Sequence, residues 1–314
     1  MTRHLNIGTR GSELALFQAH AVADLLRAQS GVDCEIVIIK TSGDLLAEAP
    51  LSQIGGKRLF VKEIEDALLN GTVDIAVHSS KDMPAVLPAG LAIGAVLPRE
   101  DPRDAMVLPV ARPQLGDAPR IGTSSVRRIA QLKRVLPGAT FGPVRGNLGT
   151  RLRKLDDGDF DALVLAAAGL RRLGQESRIS ALLPVAACVP APGQGIIAVE
   201  IRSDDTATRK IVAQADDALA GAALVAERTV VERLGGGCQM PIGAYAATAG
   251  EVLTLTAIVL SIDGNRAVTA AQSGPLTDAA AIGLRVAQEL LAGGAGDILA
   301  EVERVRAGVE GLQP

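Results

Sequence analysis

Three observations predict an α/β fold with two similar lobes, whose sheets are mixed and mostly parallel, and a small α+β domain at the C-terminus. Strand and helix patterns alternate from residue 5 to residue 201, one local motif occurs twice, and the pattern changes after Asp216. The length of 314 residues fits two or three domains at roughly 150 residues each.

The repeated motif is a short strand, a turn that begins Gly-Thr and contains serine, and a helix capped by a hydroxyl residue. It occurs at residues 5–12, before a helix over 13–28, and at 121–125, before a helix over 126–136. A second strand follows each helix, and a G-x-x-D turn then leads into a buried strand at Asp74 and at Asp161. We therefore expect two similar lobes, with helices on both faces of each sheet and ligands at the carboxyl ends of the strands.

Proline and glycine mark the connections between these lobes. Residues 98–102 and 184–195 are the predicted crossings, and a strand over 196–201 returns the chain to the first lobe. The prediction is a first lobe of residues 1–98 and 195–215 and a second lobe of residues 99–194. Residues 45–58 have poor periodicity and a glycine pair, so a long mobile loop is expected there.

The C-terminal part, residues 216–314, has the pattern of a separate small α+β domain. It contains a helix pattern, then alternating strands, then two amphipathic helices, over 218–234, 242–248, 252–260, 266–273, 277–291 and 298–309.

Composition excludes several classes of function. A net charge of −3 and an aromatic content of 2% argue against a nucleic-acid binder. Three His and three Cys without metal-ligand spacing predict no metal site. The N-terminus has no secretory pattern, and the apolar run over 162–170 is too short to span a bilayer. The prediction is a cytoplasmic protein without a membrane partner.

The three cysteines are expected to be free thiols with different roles. Cys34 lies in an apolar strand pattern and is expected to be buried there, whereas the role of Cys188 is left open. Cys238 follows three glycines in a loop, where a thiol is accessible and suited to covalent attachment or nucleophilic attack. No histidine near it in the sequence supports a cysteine hydrolase.

Arginines are concentrated at predicted strand ends and helix starts. For any one of them solvated surface charge is the simpler explanation, but several together predict an anionic ligand, either a polycarboxylate or a phosphorylated molecule. Asp82 follows a buried strand at the expected cleft edge. It is either a turn or capping residue, or a carboxylate that stabilises a cation or moves a proton.

Together these segments resemble the porphobilinogen deaminase (hydroxymethylbilane synthase) family. The resemblance covers nearly the whole chain, in family order and at family spacing, through IGTRGSELALFQA, KTSGD, GGKRLFVKEIEDALLNGTVDIAVHSSKDMP, REDPRDAMV, IGTSSVRRIAQLKR, VRGNLGTRL, AAAGLRRLG, PGQGIIAVEIR and GGGCQMPIGAYA. The sequence departs at Ser80 and Pro192, where the family varies and no chemistry is assigned.

The resemblance implies a transferase of heme biosynthesis that is usually monomeric, without an obligate protein partner. It implies a dipyrromethane cofactor attached to Cys238 by a thioether, with Asp82 as the catalytic residue. The implied reaction condenses four porphobilinogen molecules onto this primer with loss of ammonia, and water then releases hydroxymethylbilane. The remaining implied cofactor ligands are Lys81, Asp82, Thr123, Ser124, Ser125, Arg127, Arg128, Arg145 and Gly146. The implied substrate ligands are Arg10, Ser12, Arg145, Arg151, Arg172 and Gln194.

One alternative from another class is a non-catalytic binding module for a small polyanionic solute. Two lobes joined by two crossings are also typical of type II periplasmic binding proteins, and the lobes here are expected to have that architecture. A binding module would have no use for Cys238. A covalent adduct of two pyrrole units on that residue therefore separates the two hypotheses.

Overall fold

The fold is taken from a computed structural model, which describes residues 4–45, 61–237 and 239–310. The expected loop at 45–58, apart from Leu45, and the expected anchor Cys238 lie outside the described residues. Among the described residues, no helix has the length and apolar character needed to cross a bilayer.

The first lobe is built on a sheet in which β1 pairs in parallel with both β2 and β3. Helix α1 covers one face and α3 covers the other, so apolar clusters fill both sides. Its first elements are β1 (His4–Thr9), α1 (Glu13–Ser30), β2 (Asp33–Ile38), α2 (Ser42–Leu45), α3 (Lys62–Leu69), β3 (Ile75–Ser79) and β4 (Leu91–Val96).

The second lobe repeats this plan. Strand β6 pairs in parallel with β7 and β8, and β5 pairs antiparallel with β8 and β9, giving the order β7-β6-β8-β5-β9. The elements are β5 (Asp104–Val107), β6 (Arg120–Gly122), α4 (Val126–Val135), β7 (Thr140–Gly142), α5 (Leu148–Asp156), β8 (Ala162–Ala166), α6 (Ala167–Arg172) and β9 (Ala181–Leu182).

The chain returns to the first sheet through β10 (Ile197–Arg202), which is followed by α7 (Thr206–Val212). Strand β10 lies antiparallel between β3 and β4, so the first sheet has the order β2-β1-β3-β10-β4. Each sheet therefore has four strands in one direction and one opposed strand, which enters directly after a crossing. The predicted fold class, with mixed and mostly parallel sheets in two similar lobes, is confirmed.

The third domain has an antiparallel meander, β11-β12-β13, with helices on one face. Alternate residues of β12 are buried against those helices, which is why the strand reads as an alternating pattern. Its elements are α8 (Ala218–Arg233), β11 (Ile242–Ala249), β12 (Val252–Leu260), β13 (Ala267–Pro275), α9 (Ala279–Ala292) and α10 (Ala295–Glu310).

A buried ion pair connects both crossings to the third domain. Glu227 on α8 accepts from Arg99 Nη1 at 2.6 Å and from the backbone N–H groups of Gly193 and Ala246 at 2.6 and 2.7 Å. Arg99 lies on the first crossing and also stacks over the ring of Tyr245, 4.9 Å from its centroid. The three bodies therefore meet at one charged contact beside the segments that connect them.

The predicted helix starts are confirmed, since Ser12 caps α1 and Ser125 caps α4. The expectation that Cys34 is buried is wrong. This residue is half-buried, because β2 is an edge strand of its sheet.

Candidate active site

A cleft of about 410 Å³ lies where the two lobes and the third domain meet. The first lobe contributes the turn after β3, and the second lobe contributes the start of α4. The second crossing forms the floor, and the third domain closes the remaining side. This is the region where parallel strands of both sheets end, as expected for a ligand site in an α/β protein.

The first-lobe side consists of Ser80, Lys81 and Asp82, which form a 3₁₀ turn directly after β3. The Asp82 side chain is exposed in the cleft. Burial among protein atoms lowers the pKa of Lys81 to about 8, although the neighbouring Asp82 carboxylate opposes that shift. The first lobe therefore presents one carboxylate beside one titratable cation.

The second-lobe side is the first turn of α4. The chain leaves β6 at Gly122, Ser124 bonds the backbone of Val144 in both directions, and Ser125 accepts from the N–H of Arg128 at 3.4 Å. This cap fixes the helix start, so that consecutive arginines, Arg127 and Arg128, both line the cleft.

Both arginines are held by one buried carboxylate, Asp104, at the start of β5. Arg127 Nη1 lies 2.7 Å from its Oδ2, and Arg128 Nε and Nη2 lie 2.9 and 2.8 Å from its Oδ1. Burial alone would raise the pKa of Asp104, but the two guanidinium groups outweigh it and hold the pKa well below the usual range. Asp104 is therefore a permanent anion.

Cys188 and Gln194 of the second crossing complete the surroundings of Asp104. The thiol of Cys188 donates to Oδ2 at 3.2 Å, and burial, together with the negative charge of Asp104, raises its pKa to about 12. Gln194 donates from Nε2 to Pro102 O at 2.6 Å and to Asp104 Oδ1 at 3.0 Å. The Gln194 Oε1 atom is buried and has no hydrogen-bond partner in the described part of the chain.

Arg151, Arg145 and Gly146 form a second basic group near the start of α5. Arg151 Nε donates to Gly146 O at 2.9 Å. Burial first, and then the nearby charges of Arg128 and Arg145, lower the pKa of Arg151, while Asp82 opposes this. Gly146 has φ +103°, and a Cβ there would contact Thr150, so glycine is required at this turn. These residues are electrostatically linked to the cleft but do not line the cavity.

Four other predicted ligands also lie outside the cavity lining. Arg10 forms an ion pair with Asp44, and Ser12 caps α1. Thr123 is buried at the end of β6, and Arg172 donates to Gly195 O at 2.6 Å on the second crossing. The cavity brings together Lys81, Asp82, Ser124, Ser125, Arg127, Arg128 and Gln194.

The third domain supplies an apolar wall. Gly237 and Gln239, the sequence neighbours of Cys238, also line the cleft, while Cys238 lies outside the described residues. Arg228 on α8 donates to the carbonyls of Pro84 and Ala85 at 2.8 Å each and so holds the segment that follows Asp82. The apolar wall consists of Val231, Met240, Ile242, Ile262 and Val302.

Sequence reasoning missed Asp104, Arg228 and this apolar wall. Asp104 had a signal, because an acid that opens a buried strand after a crossing needs a cationic partner. Arg228 and the wall had none, since they reach the cleft only when the third domain packs against the lobes. A basic side facing an apolar side suits a ligand with flat apolar rings and attached carboxylates.

Comparison with known proteins gives matches over most of the chain. A family model described as "Porphobilinogen deaminase, dipyromethane cofactor binding domain" matches residues 5–210. A second, "Porphobilinogen deaminase, C-terminal domain", matches residues 222–292.

Curated relatives agree with these matches. The porphobilinogen deaminase of Geobacter metallireducens is 47% identical over 302 residues, covering 96% of this chain and 95% of that protein. The porphobilinogen deaminase of Syntrophobacter fumaroxidans is 47% identical over 306 residues, covering 96% and 99%. Among solved structures, the methionine binding protein MetQ superposes with a TM-score of 0.43 at 14% identity, covering 68% of this chain and 89% of that chain.

Proposed function

Because the chain belongs to the porphobilinogen deaminase family, we propose that its three-sided cleft is the active site, with Asp82 as the catalytic carboxylate and Cys238 as the cofactor anchor. The enzyme is a transferase that condenses four porphobilinogen molecules with loss of ammonia and releases hydroxymethylbilane. The observation that carries the site proposal is the placement of Asp82 in one cleft with Arg127, Arg128 and both sequence neighbours of Cys238.

The residues of the cleft fit a dipyrromethane, which has two pyrrole rings with carboxylate side chains. Arg127 and Arg128 supply guanidinium donors for carboxylates, and the third domain supplies an apolar surface for the rings. Gln194 Oε1 is a buried acceptor without a partner among the described residues, which suits a pyrrole N–H. When bound, the group supplies the free α-carbon to which the first substrate molecule is joined.

Asp82 stabilises the positive charge that develops when porphobilinogen loses ammonia. It lies in the 3₁₀ turn that directly follows β3, beside Lys81, so its backbone position is set by the strand before it. An anion at this place in the cleft favours a cationic transition state. The same carboxylate accepts a hydrogen bond from the pyrrole N–H and passes protons.

The arginines outside the cavity lining take part as the chain grows. Each added pyrrole brings two carboxylates, and we assign to them Arg145, Arg151, Arg172 and Arg10, of which Arg151 interacts electrostatically with Asp82 and Arg128 of the cleft. Arg10 and Arg172 have protein partners now, so a substrate carboxylate replaces those contacts. Movement at the crossings, residues 98–102 and 190–195, makes room for the product while the Arg99–Glu227 contact keeps the bodies together.

The enzyme is expected in the cytoplasm, as a monomer without an obligate protein partner. The alternative of a non-catalytic solute-binding module is not favoured by the family match. It also does not explain why both sequence neighbours of Cys238 line a cleft whose arginines could bind an anionic solute without a cysteine.

Intact-protein mass spectrometry tests the anchor. We expect an adduct of two pyrrole units on the purified chain and a positive reaction with Ehrlich's reagent, both lost in Cys238→Ser. Cys34→Ser is the matched control, because Cys34 is half-buried on an edge strand of the first sheet and should keep the adduct. An unmodified wild-type chain that remains inactive with porphobilinogen would overturn the proposal in favour of a binding module.

A further inference from the structure

Asp104 is the most heavily bonded carboxylate of the cleft wall, yet it does not face the cleft. It is fully buried, and its two oxygens accept from Arg127, Arg128, Gln194 and Cys188. These donors come from α4 and from the second crossing, whereas Asp104 itself opens β5. One side chain of β5 therefore joins α4 and the second crossing, two segments whose polar groups line the site.

The two arginines keep donors for a ligand. Arg127 uses Nη1 on Asp104 and on Val189 O at 2.6 Å, and one N–H of Nη2 on Asp104 Oδ1 at 3.2 Å. Arg128 uses Nε and Nη2 on Asp104 and Nη1 on Val164 O at 2.8 Å. A guanidinium has five N–H groups, so each arginine retains N–H groups that no described residue accepts. Both arginines are buried, with 4% and 8% of the residue exposed, and still line the cleft, so their remaining N–H groups have fixed directions.

The charges explain why Asp104 matters beyond packing. Two adjacent buried guanidinium groups repel each other and are costly to remove from water. One carboxylate between them offsets part of that cost and leaves one positive charge in excess. That excess favours a ligand carboxylate at the cleft face, whereas a neutral residue at position 104 would leave two like charges free to turn apart.

Cys188 belongs to the same arrangement. Its buried thiol lies 3.2 Å from Asp104 Oδ2 and 3.5 Å from Arg127 Nη1, between the carboxylate and the crossing. Burial keeps the sulfur protonated, so it donates to Asp104 while it also accepts a long hydrogen bond from Arg127 Nη1. A serine hydroxyl can replace this donor, and an alanine cannot.

We propose that Asp104 is a positioning residue that sets the donor directions of Arg127 and Arg128 toward the pyrrole carboxylates and orients the Gln194 amide so that its Oε1 accepts from a pyrrole N–H, with the Cys188 thiol as its supporting donor. This inference rests on the proposed function, because it concerns how the same cleft holds its dipyrromethane and substrate. It assigns the role to residues that do not touch the ligand themselves.

The test uses the full chain produced without porphobilinogen and then supplied with it. In Asp104→Asn we expect the rate of adduct formation, followed by intact mass, to fall at least about tenfold, the size expected for misdirected charge-assisted bonds. In the fraction that does carry the adduct, KM for porphobilinogen should rise by a similar factor while kcat changes little. Cys188→Ala should lower the rate of adduct formation less than Asp104→Asn does, and Cys188→Ser should keep the wild-type rate.

Two controls separate positioning from loss of stability. Glu200→Gln removes another fully buried carboxylate, paired with His78 at 3.2 Å in the first lobe, and should lower the melting temperature without changing KM. In an Arg127→Gln background, Asp104→Asn should have a smaller effect on the adduct rate than in the wild-type chain, because one of the three groups that Asp104 positions is already gone. Additive losses in this cycle, or a normal KM and adduct rate in folded Asp104→Asn, would overturn the inference.

The inference and the proposed function fail differently. A wild-type chain that forms no adduct from porphobilinogen contradicts the function. A wild-type chain that forms it, together with an Asp104→Asn chain that forms it equally fast, contradicts only the role of Asp104.

Discussion

The two lobes begin with the same local unit but use it differently. In each, a strand ends in a Gly-Thr turn, and a serine caps the following helix, Ser12 in the first lobe and Ser125 in the second. In the first lobe, Arg10 of this turn pairs with Asp44 of its own lobe. In the second, Arg127 and Arg128 lie at the cleft, braced from behind by Asp104.

The opposed strands explain part of this difference. In the second sheet β5 begins with Asp104, opposite Ala166 at the end of β8, and in the first sheet β10 begins with Ile197, opposite Ser79 at the end of β3. Asp104 and Ile197 thus occupy equivalent places in a repeated fold. An acid at this place holds two buried arginines, and an apolar residue holds none. The difference at this one strand position therefore accompanies the presence of two buried arginines on the second-lobe side of the cleft.

The segments that follow β3 and β8 also differ between the two lobes. In the first lobe this segment is the 3₁₀ turn Ser80–Asp82, which presents Lys81 and Asp82 to the cleft. In the second lobe it is α6 (Ala167–Arg172), whose first residues are small and buried. In the proposed site, the first lobe supplies the reactive carboxylate and the second supplies the anion-binding wall. The two lobes differ at this point in backbone conformation, a 3₁₀ turn in one and an α-helix in the other, as well as in their side chains.

Removal of the first-lobe carboxylate should have the largest effect. In Asp82→Asn we expect kcat to fall by about a thousandfold, because the fixed charge that stabilises the cationic transition state is lost. The adduct and the melting temperature should be unchanged, as measured by intact mass and calorimetry. Asp74→Asn, a substitution at the other end of β3, is the control. Near-normal turnover in Asp82→Asn would show that the first lobe does not supply the catalytic group.

Substitution of the arginines in the two matching turns should give two different kinetic effects. Arg127→Gln should slow adduct formation by about tenfold to a hundredfold, because a charge-assisted bidentate contact is lost. Arg10→Gln should leave adduct formation intact and raise KM for porphobilinogen by about tenfold, since its predicted ligand is the substrate. Equal effects of both substitutions on the adduct rate would contradict the distinction between the lobes.

The smallest expected effect is a pH dependence of kcat/KM that arises from Lys81, the cation on the first-lobe side of the cleft. The pKa of Lys81 is about 8, so its charge is present below that pH and is lost as pH rises through it, whereas the arginines stay charged. We expect kcat/KM for the anionic substrate to fall about fivefold across this step, because kcat/KM reports the free enzyme. Lys81→Met should remove this step from the profile, and persistence of the step in that variant would assign it to another group.

The lowered pKa of Lys81 also determines how the stability of the protein changes with pH. The unfolded chain binds the Lys81 proton more tightly than the folded chain, whose pKa for this group is lowered from 10.5 to about 8. The contribution of Lys81 to the free energy of unfolding therefore increases as pH rises from about 8 to 10.5.

Much of the fold followed from local patterns. Helical spacing and serine caps predicted α1 and α4, and the G-x-x-D turns predicted the buried strands β3 and β8, because these signals act within a few residues. Cys34 was mistaken for a core residue, since an apolar strand pattern does not say whether the strand lies at a sheet edge.

The candidate site was predictable only in part. The arginines stood out because several of them gather at strand ends, Asp82 had an alternative explanation as a turn or capping residue, and the family resemblance supplied the roles of both. Asp104 had a signal as an acid that opens a buried strand, whereas Cys188 and Gln131 carried none. Gln131 exchanges hydrogen bonds with Val189 at 2.7 and 3.0 Å, and this contact between α4 and the second crossing joins residues 58 positions apart in the chain.

The sequence by itself determined the duplicated α/β units, the separate C-terminal domain and the identity of the residues with reactive or ionic groups. These depend on periodicity, capping and side-chain chemistry, which are local properties. Only the tertiary structure decided which cations face the cleft and which are engaged elsewhere. That choice depends on burial and on distant partners, Asp104 for Arg127 and Arg128 and Asp44 for Arg10, because a charge removed from water takes its direction from the opposite charge packed against it.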